Sequence, residues 1–298
     1  MLETKIESRR AVSRDSRVSR DSTALIPSAP SVIVKVRPLT ATEQKVSAEQ
    51  HAWEHDASQI WQTLPSPRTR IIPPHAPYKF DRVFGSGDST RGLFNAQVGT
   101  LIFHVMAGFN AAILAYGQTS SGKTSLMRGL GRRGRDAGIG EGQRVGLIAL
   151  TVDALLSAMR ADADPSRWSL TMSIAEVYNE TVNCMISGRS GLTLFDGKDG
   201  QLRIGGLEES EPLRSWDDAA ELLARSDQYA HVGATRLNER SSRAHVVCRL
   251  RVSRSATPSE PTSAVSKIHL CDLAGSERVS PHARSAGTIA VRHVLCEP

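Results

Sequence analysis

Three features of the sequence predict an α/β fold with a central sheet. Short runs rich in β-branched residues alternate with stretches whose apolar side chains recur every three or four positions. An apolar run, Ala111 to Tyr116, leads straight into a glycine-rich loop that opens a helical stretch. Two longer strand-like runs, Val246 to Ser253 and Lys267 to Leu273, are joined by a Ser/Thr/Pro loop. Such a mixture packs as helices against a sheet.

The 298 residues are 40% hydrophobic and 23% charged, enough to bury a core in one large or two small domains. Lys and Arg number 37 against 31 Asp and Glu, a formal net charge of +6, and part of that excess sits in Arg9, Arg10, Arg14, Arg17 and Arg20. So modest an excess identifies no acidic partner, and no nucleic acid is expected. No run approaches the roughly 20 apolar residues that span a bilayer, and the polar N-terminus lacks the apolar core of a secretory signal, so no membrane is expected either. Cys184, Cys248, Cys271 and Cys296 form no CxxC pair, which argues against a zinc site or a disulfide framework and fits a reducing cytosol.

Taken in order, residues 1–30 are Ser- and Arg-rich, repeat Val-Ser-Arg-Asp-Ser at Val12 and Val18, and predict a disordered head. The folded domain is expected over 31–298. Its first strand runs from Ser31 to a turn at Pro38, and residues 40–77, with five prolines, predict a loop-rich excursion. Tyr78 to Phe84 reads as a strand. Leu93, Phe94, Val98, Leu101, Ile102, Val105 and Met106 mark an amphipathic helix over 90–109. Helices are predicted at 146–160 and 216–229, and a strand at 169–178. No heptad run is long enough for a coiled coil, so none is expected to dimerise this chain.

Gly117-Gln118-Thr119-Ser120-Ser121-Gly122-Lys123-Thr124 satisfies GxxxxGK[ST] between an apolar strand and a helical stretch. Its glycines let backbone N–H groups point at phosphate oxygens, Lys123 supplies a charge toward the β and γ phosphates, and the Thr124 hydroxyl suits Mg²⁺. In this strand–loop–helix context the motif predicts a P-loop nucleotide-binding protein.

Two later segments fit sensors of the terminal phosphate. The strand at Ile268 delivers Asp272 to its end, where it would hold Mg²⁺ through water, and Gly275 follows with a backbone N–H that no side chain shields. Asn238, Ser241, Ser242 and Arg243 place an amide, two hydroxyls and a guanidinium in one loop before the next strand. An Arg243 to Glu277 pair would latch the two segments when both close on the phosphate.

These residues resemble the motor domain of the kinesin superfamily. The likeness rests on Val34-Lys35-Val36-Arg37-Pro38-Leu39, Tyr78 to Phe84, Ala115 to Thr124, Glu176-Val-Tyr-Asn-Glu180, Asn238 to Arg243 and Asp272 to Arg278. The text from Leu93 to Thr124 looks most like the centromere-associated branch. The resemblance implies a P-loop NTPase with a central mixed, mostly parallel sheet flanked by helices. It implies a microtubule-stimulated ATPase that binds ATP and Mg²⁺, has microtubules as partner, and works in the cytoplasm on the cytoskeleton. Lys35, Arg37 and Pro38 would flank the adenine, and Ser125 would lie near the base. Asn238 would reach the γ-phosphate, Ser241 would position the attacking water, and Ser242 would complete the Mg²⁺ shell with Thr124 and Asp272. No Asn-Lys-x-Asp guanine-reading motif occurs, which disfavours a GTPase.

The chain departs from the family pattern at Ala244, Ser125 and Ala230, where Ser, an aromatic or His side chain, and Arg are usual. Only 26 residues follow Asp272. The reading is therefore of a motor domain lacking its C-terminal helices, with one apolar sheet face open to water. The alternative reading is a truncated or degenerate nucleotide-binding module without motility.

Overall fold

The computed structural model describes residues 30–39, 53–62, 77–129, 145–198, 200–232, 243–258 and 261–277. The predicted head and the segment after Glu277 lie outside these. The chain divides into two compact units, residues 1–34 with 49–83 and residues 35–48 with 84–298.

In the first unit, β2 (Trp53–His55), β3 (Gln59–Gln62) and β4 (Tyr78–Lys79) form an antiparallel sheet. Asp56 makes the turn between β2 and β3, its Oδ1 accepting the N–H groups of Ser58 and Gln59 at 2.7 Å each. The sequence predicts loop here. Strands of three and four residues are too short to show an alternating pattern, and their pairing is non-local. The strand expected across Tyr78 to Phe84 is broken at Asp81, whose carboxylate accepts the Val32 N–H at 2.6 Å while its own N–H donates to the Val32 carbonyl at 3.0 Å. Beyond the break lies β5 (Arg82–Phe84), which pairs with β1 (Ile33–Lys35).

The second unit is built on a five-stranded sheet of order β6-β12-β11-β7-β8. The strands are β6 (Ala111–Ala115), β7 (Trp168–Tyr178), β8 (Thr181–Cys184), β11 (His245–Arg254) and β12 (Ala264–Asp272). The sheet is mixed, as expected; among the described residues β12 runs parallel to β6, and the other three pairings are antiparallel. Successive strands β11–β12 and β7–β8 are joined directly, and a direct connection returns the chain antiparallel, whereas parallel neighbours need a long crossover. The hairpin β9 (Thr193–Asp196) and β10 (Leu202–Gly205) follows β8 in the chain and is antiparallel too.

Register divides the sheet into two unlike faces. Leu270 lies between Cys248 and Ile113, Ile268 between Leu250 and Ala111, and Cys248 and Leu250 lie opposite Ile174 and Met172. Leu270, Ile268, Leu250, Met172 and Ile174 are each at most 1% exposed. Three helices, Gly99–Met106, Lys123–Arg128 and Leu147–Arg160, cover this face. Ser266 Oγ donates to the Val105 carbonyl at 2.6 Å and ties β12 to the first of them. The Leu147–Arg160 helix is buried nearly all round, and Trp216–Val232 packs outside it through Ala219, Leu222, Leu223 and Ser226, an i, i+3, i+4, i+7 stripe.

The predicted amphipathic helix at 90–109 forms, with a π turn at Phe94–Val98 between Thr90–Leu93 and Gly99–Met106. The extra residue in that turn keeps Leu93, Phe94, Val98, Ile102 and Val105 all buried. Gly146, before the Leu147–Arg160 helix, lies so close to the end of Lys123–Arg128 that a Cβ there would overlap the backbone of Met127, Arg128 and Gly129.

The other sheet face carries Arg249, Arg251, Lys267 and His269 at facing register positions, with Val247 and Cys271. The sequence predicts an apolar face open to water. Among the described residues this face is mostly half-buried and mixes charged with apolar side chains, and Glu209 meets Arg249 at 2.9 Å and Arg251 at 3.7 Å.

Candidate functional site

The parallel pair β6–β12 sets Asp272 directly beside Ala115, so both strands end at one level. The phosphate loop leaves from the first strand and the Asp-Leu-Ala-Gly run from the second. The Leu273 N–H donates to the Ala115 carbonyl at 3.2 Å and the Ser276 N–H to the Gly117 carbonyl at 3.1 Å, which lays the second loop along the first.

Within the phosphate loop, Ser120 has φ +64° and Gly122 φ +96°. A left-handed residue at each point turns the chain back on itself before the helix Lys123–Arg128 begins. The Ser121 N–H donates to the Gln118 carbonyl at 3.2 Å. Lys123 Nζ donates to the carbonyls of Gly117 and Gln118 at 2.8 Å each, so the ammonium lies across the loop mouth. Ser125 offers its carbonyl to Gly129 N–H at 2.9 Å inside the helix.

Thr124 Oγ1 donates to Asp272 Oδ2 at 2.5 Å. The other oxygen, Oδ1, is buried and has no hydrogen-bond partner among the described residues. Burial pushes the Asp272 carboxyl above its ordinary range, against the bond from Thr124 and the charges of Lys123 and Arg128. An orphaned, desolvated carboxylate oxygen beside a hydroxyl is an all-oxygen donor set that a hard divalent cation would satisfy. The sequence expectation for Thr124 and Asp272 thus meets a fitting geometry. Ser242, Ser241 and Asn238, expected at the same place, lie outside the described residues.

Glu277 is also drawn to the loop. Its Oε2 accepts the Thr119 N–H at 2.8 Å and its Oε1 the Thr119 hydroxyl, bonds that hold the carboxyl below its usual range. The expected partner, Arg243, makes no ion pair with it among the described residues. A Cβ at Gly275 would overlap both Glu277 oxygens and the Thr119 hydroxyl, so this approach needs glycine.

Of the three residues expected to flank the adenine, Lys35 is committed elsewhere. Its Nζ donates to the carbonyls of Gly85 at 2.7 Å and Val36 at 2.9 Å, and burial lowers its pKa against the pull of Asp88. Arg37 does border the loop: a Cβ on Gly122 would lie 3.7 Å from the Arg37 Cβ. Its guanidinium donates to the Pro38 carbonyl at 3.0 Å.

Two contacts here have no counterpart in the sequence expectations. Arg128, at the end of the phosphate-loop helix, donates to Asp227 Oδ1 and, at 3.0 Å, to Ser226 Oγ, both on the helix that leads toward residues 233–242. His245, the first residue of β11, accepts the Ala274 N–H on Nδ1 at 3.2 Å. Neither has a spacing signal; each depends on which elements lie side by side.

Comparison with known proteins places this geometry in a family. The kinesin motor domain model matches residues 35–291. Kinesin-like protein KIN-7C of Oryza sativa subsp. japonica is 34% identical over 86% of this chain and 27% of its own length. Kinesin-like protein NACK1 of Nicotiana tabacum is 32% identical over 84% of this chain and 24% of its own. Human centromere-associated protein E is 28% identical over 84% of this chain and 9% of its own. The chain thus spans well under half the length of these relatives. A solved structure of a fast kinesin superposes with a TM-score of 0.71 at 22% identity, covering 87% of this chain and 69% of that one, which shows the shared fold. This chain belongs to the kinesin motor domain family.

Proposed function

We propose that this chain is a P-loop ATPase of kinesin type, which binds ATP with Mg²⁺ and couples its turnover to microtubule binding and movement in the cytoplasm. The observation that carries the reading is the 2.5 Å contact between Thr124 and Asp272, with one Asp272 oxygen buried and unpartnered among the described residues. It joins the phosphate loop and the Asp-Leu-Ala-Gly run in one site. The fast-kinesin structure carries implications for an ATPase mechanism and for interactions with microtubules, and the family membership extends both to this chain as a proposal.

Thr124 and Asp272 would hold the Mg²⁺, with Ser242 completing its shell. Such an ion supplies neutralisation of charge across the β and γ phosphates. Lys123 would exchange the carbonyls of Gly117 and Gln118 for phosphate oxygens, and the loop N–H groups would orient the triphosphate. Among the described residues the Gly275 N–H has no acceptor, which suits it to the γ-phosphate. Asn238 would reach the same phosphate and Ser241 would place the attacking water. Arg37 and Pro38 would border the adenine; Lys35, committed to Gly85 and Val36, would act on the base only by holding their strand. Glu277 would leave Thr119 for Arg243 when the terminal phosphate is bound.

Phosphate release from ATP, measured with and without polymerised tubulin, tests the reading. Tubulin should stimulate release, and Lys123→Ala should lower nucleotide affinity at least tenfold. ATP binding without stimulation would favour the non-motile nucleotide-binding module, and preference for GTP would overturn the adenine assignment.

A further inference from the structure

His245 stands where two functional segments meet. It opens β11, immediately after the run containing Ser241, Ser242 and Arg243, and its ring faces the loop that follows Asp272. The Ala274 N–H points at its Nδ1, 3.2 Å away. A backbone N–H can only donate, so Nδ1 must be the unprotonated nitrogen and Nε2 must carry the ring proton. Ala274 is flanked by two further anchors, the Leu273 N–H on Ala115 and the Ser276 N–H on Gly117. Those two tie the loop to β6 and to the phosphate loop. Among the described residues, only the His245 contact ties it to β11.

We propose that His245 is a positioning residue for ATP hydrolysis: its Nδ1 fixes the Leu273–Ala274 peptide to the start of β11, and so sets the direction of the Gly275 N–H one peptide further on. The ring acts through the loop, by making the Asp272–Glu277 run respond as one piece to displacement of β11. Burial keeps the ring neutral, with Asp272 opposing, which preserves the acceptor. The assignment rests on the ATPase reading above, although the tether itself does not.

Three measurements on the full chain decide it. First, ¹⁵N-histidine spectra of the wild type should show the Nε2–H tautomer for His245; an Nδ1–H tautomer overturns the tether whatever the protein's activity. Second, amide exchange at Ala274 should quicken about tenfold or more in His245→Phe, which keeps the ring and removes the acceptor, and stay near wild type in His245→Asn, whose Oδ1 can take the place of Nδ1. Third, ATP turnover should fall about tenfold in His245→Phe with KM within about twofold, and recover in His245→Asn. If the Phe variant behaves as wild type while the Asn variant fails, the ring serves packing and the proposal is wrong. Wild-type protein that turns over no ATP sinks the ATPase reading instead, while the tautomer and the exchange rates still decide the tether.

Discussion

The two faces of the five-stranded sheet are made by the same strands and differ in what they permit. On the helix-covered face, Leu250, Ile268 and Leu270 are at most 1% exposed and Asp272 continues their row to the strand end. On the other, Leu114 and Val265 are 45% and 46% exposed and the centre is Arg249, Arg251, Lys267 and His269. Among the described residues the proposed ion site lies at the end of the dry face, where burial leaves the Asp272 carboxylate with an unmet oxygen. On the wet face Glu209 meets Arg249 and Arg251, and the groups left without a partner there, such as Arg249 Nε, are donors that cannot ligate a cation.

Truncating side chains on each face is the strongest way to break the contrast. Leu270→Ala should lower unfolding free energy by about 2–5 kcal/mol in urea titrations, through lost burial and the cavity left behind. Val265→Ala, on the same strand but the opposite face, should stay within about 0.5 kcal/mol. Equal costs would mean that the wet face is covered in solution. Gly146→Ala should cost about 1–3 kcal/mol, because its Cβ would overlap the backbone of Met127 to Gly129 and push the phosphate-loop helix off the dry face.

Acid should act on the wet face first. Burial, with Arg249 and Lys267 beside it, pushes His269 down to about 4 from an ordinary 6.5. The unfolded chain then binds a proton that the folded chain refuses, so stability is complete above pH 6.5 and is lost as pH falls toward 4. A shift of this size sets an upper bound of about 3 kcal/mol, and partial exposure of the ring brings the expected loss nearer about 2 kcal/mol. Denaturation midpoints should therefore fall less steeply between pH 6.5 and 4 in His269→Gln than in the wild type. The smallest effect is expected for Glu209→Gln, about 1 kcal/mol or less at neutral pH and less still in high salt, because its pairs with Arg249 and Arg251 are partly exposed.

What could be read from the sequence follows from the range of the signal. β6, β7, β11 and β12 and the longer helices are local patterns of five or more residues, and each lies within a few residues of its expected place. The phosphate loop is legible because its shape is dictated by consecutive residues. The antiparallel pairings of the sheet, the short strands β2 and β3, and the hairpin β9–β10 depend on pairing partners that no local pattern names. The same limit applies at the site. Thr124 and Asp272 meet as their motifs suggest, but Glu277 sits on Thr119, Lys35 faces Gly85 and Val36, and Gly146 is required by a neighbour 17 residues back at Gly129.

The register of β12 decides more than packing. Asp272 and its neighbour Cys271 point to opposite sides, and nine consecutive pairs with β11 hold that choice. A slip of one place would present sulfur where oxygen now stands, a soft donor in place of the hard one that the proposed Mg²⁺ would need. The ladder would, in that sense, choose the ion of the proposed site through backbone hydrogen bonds remote from it.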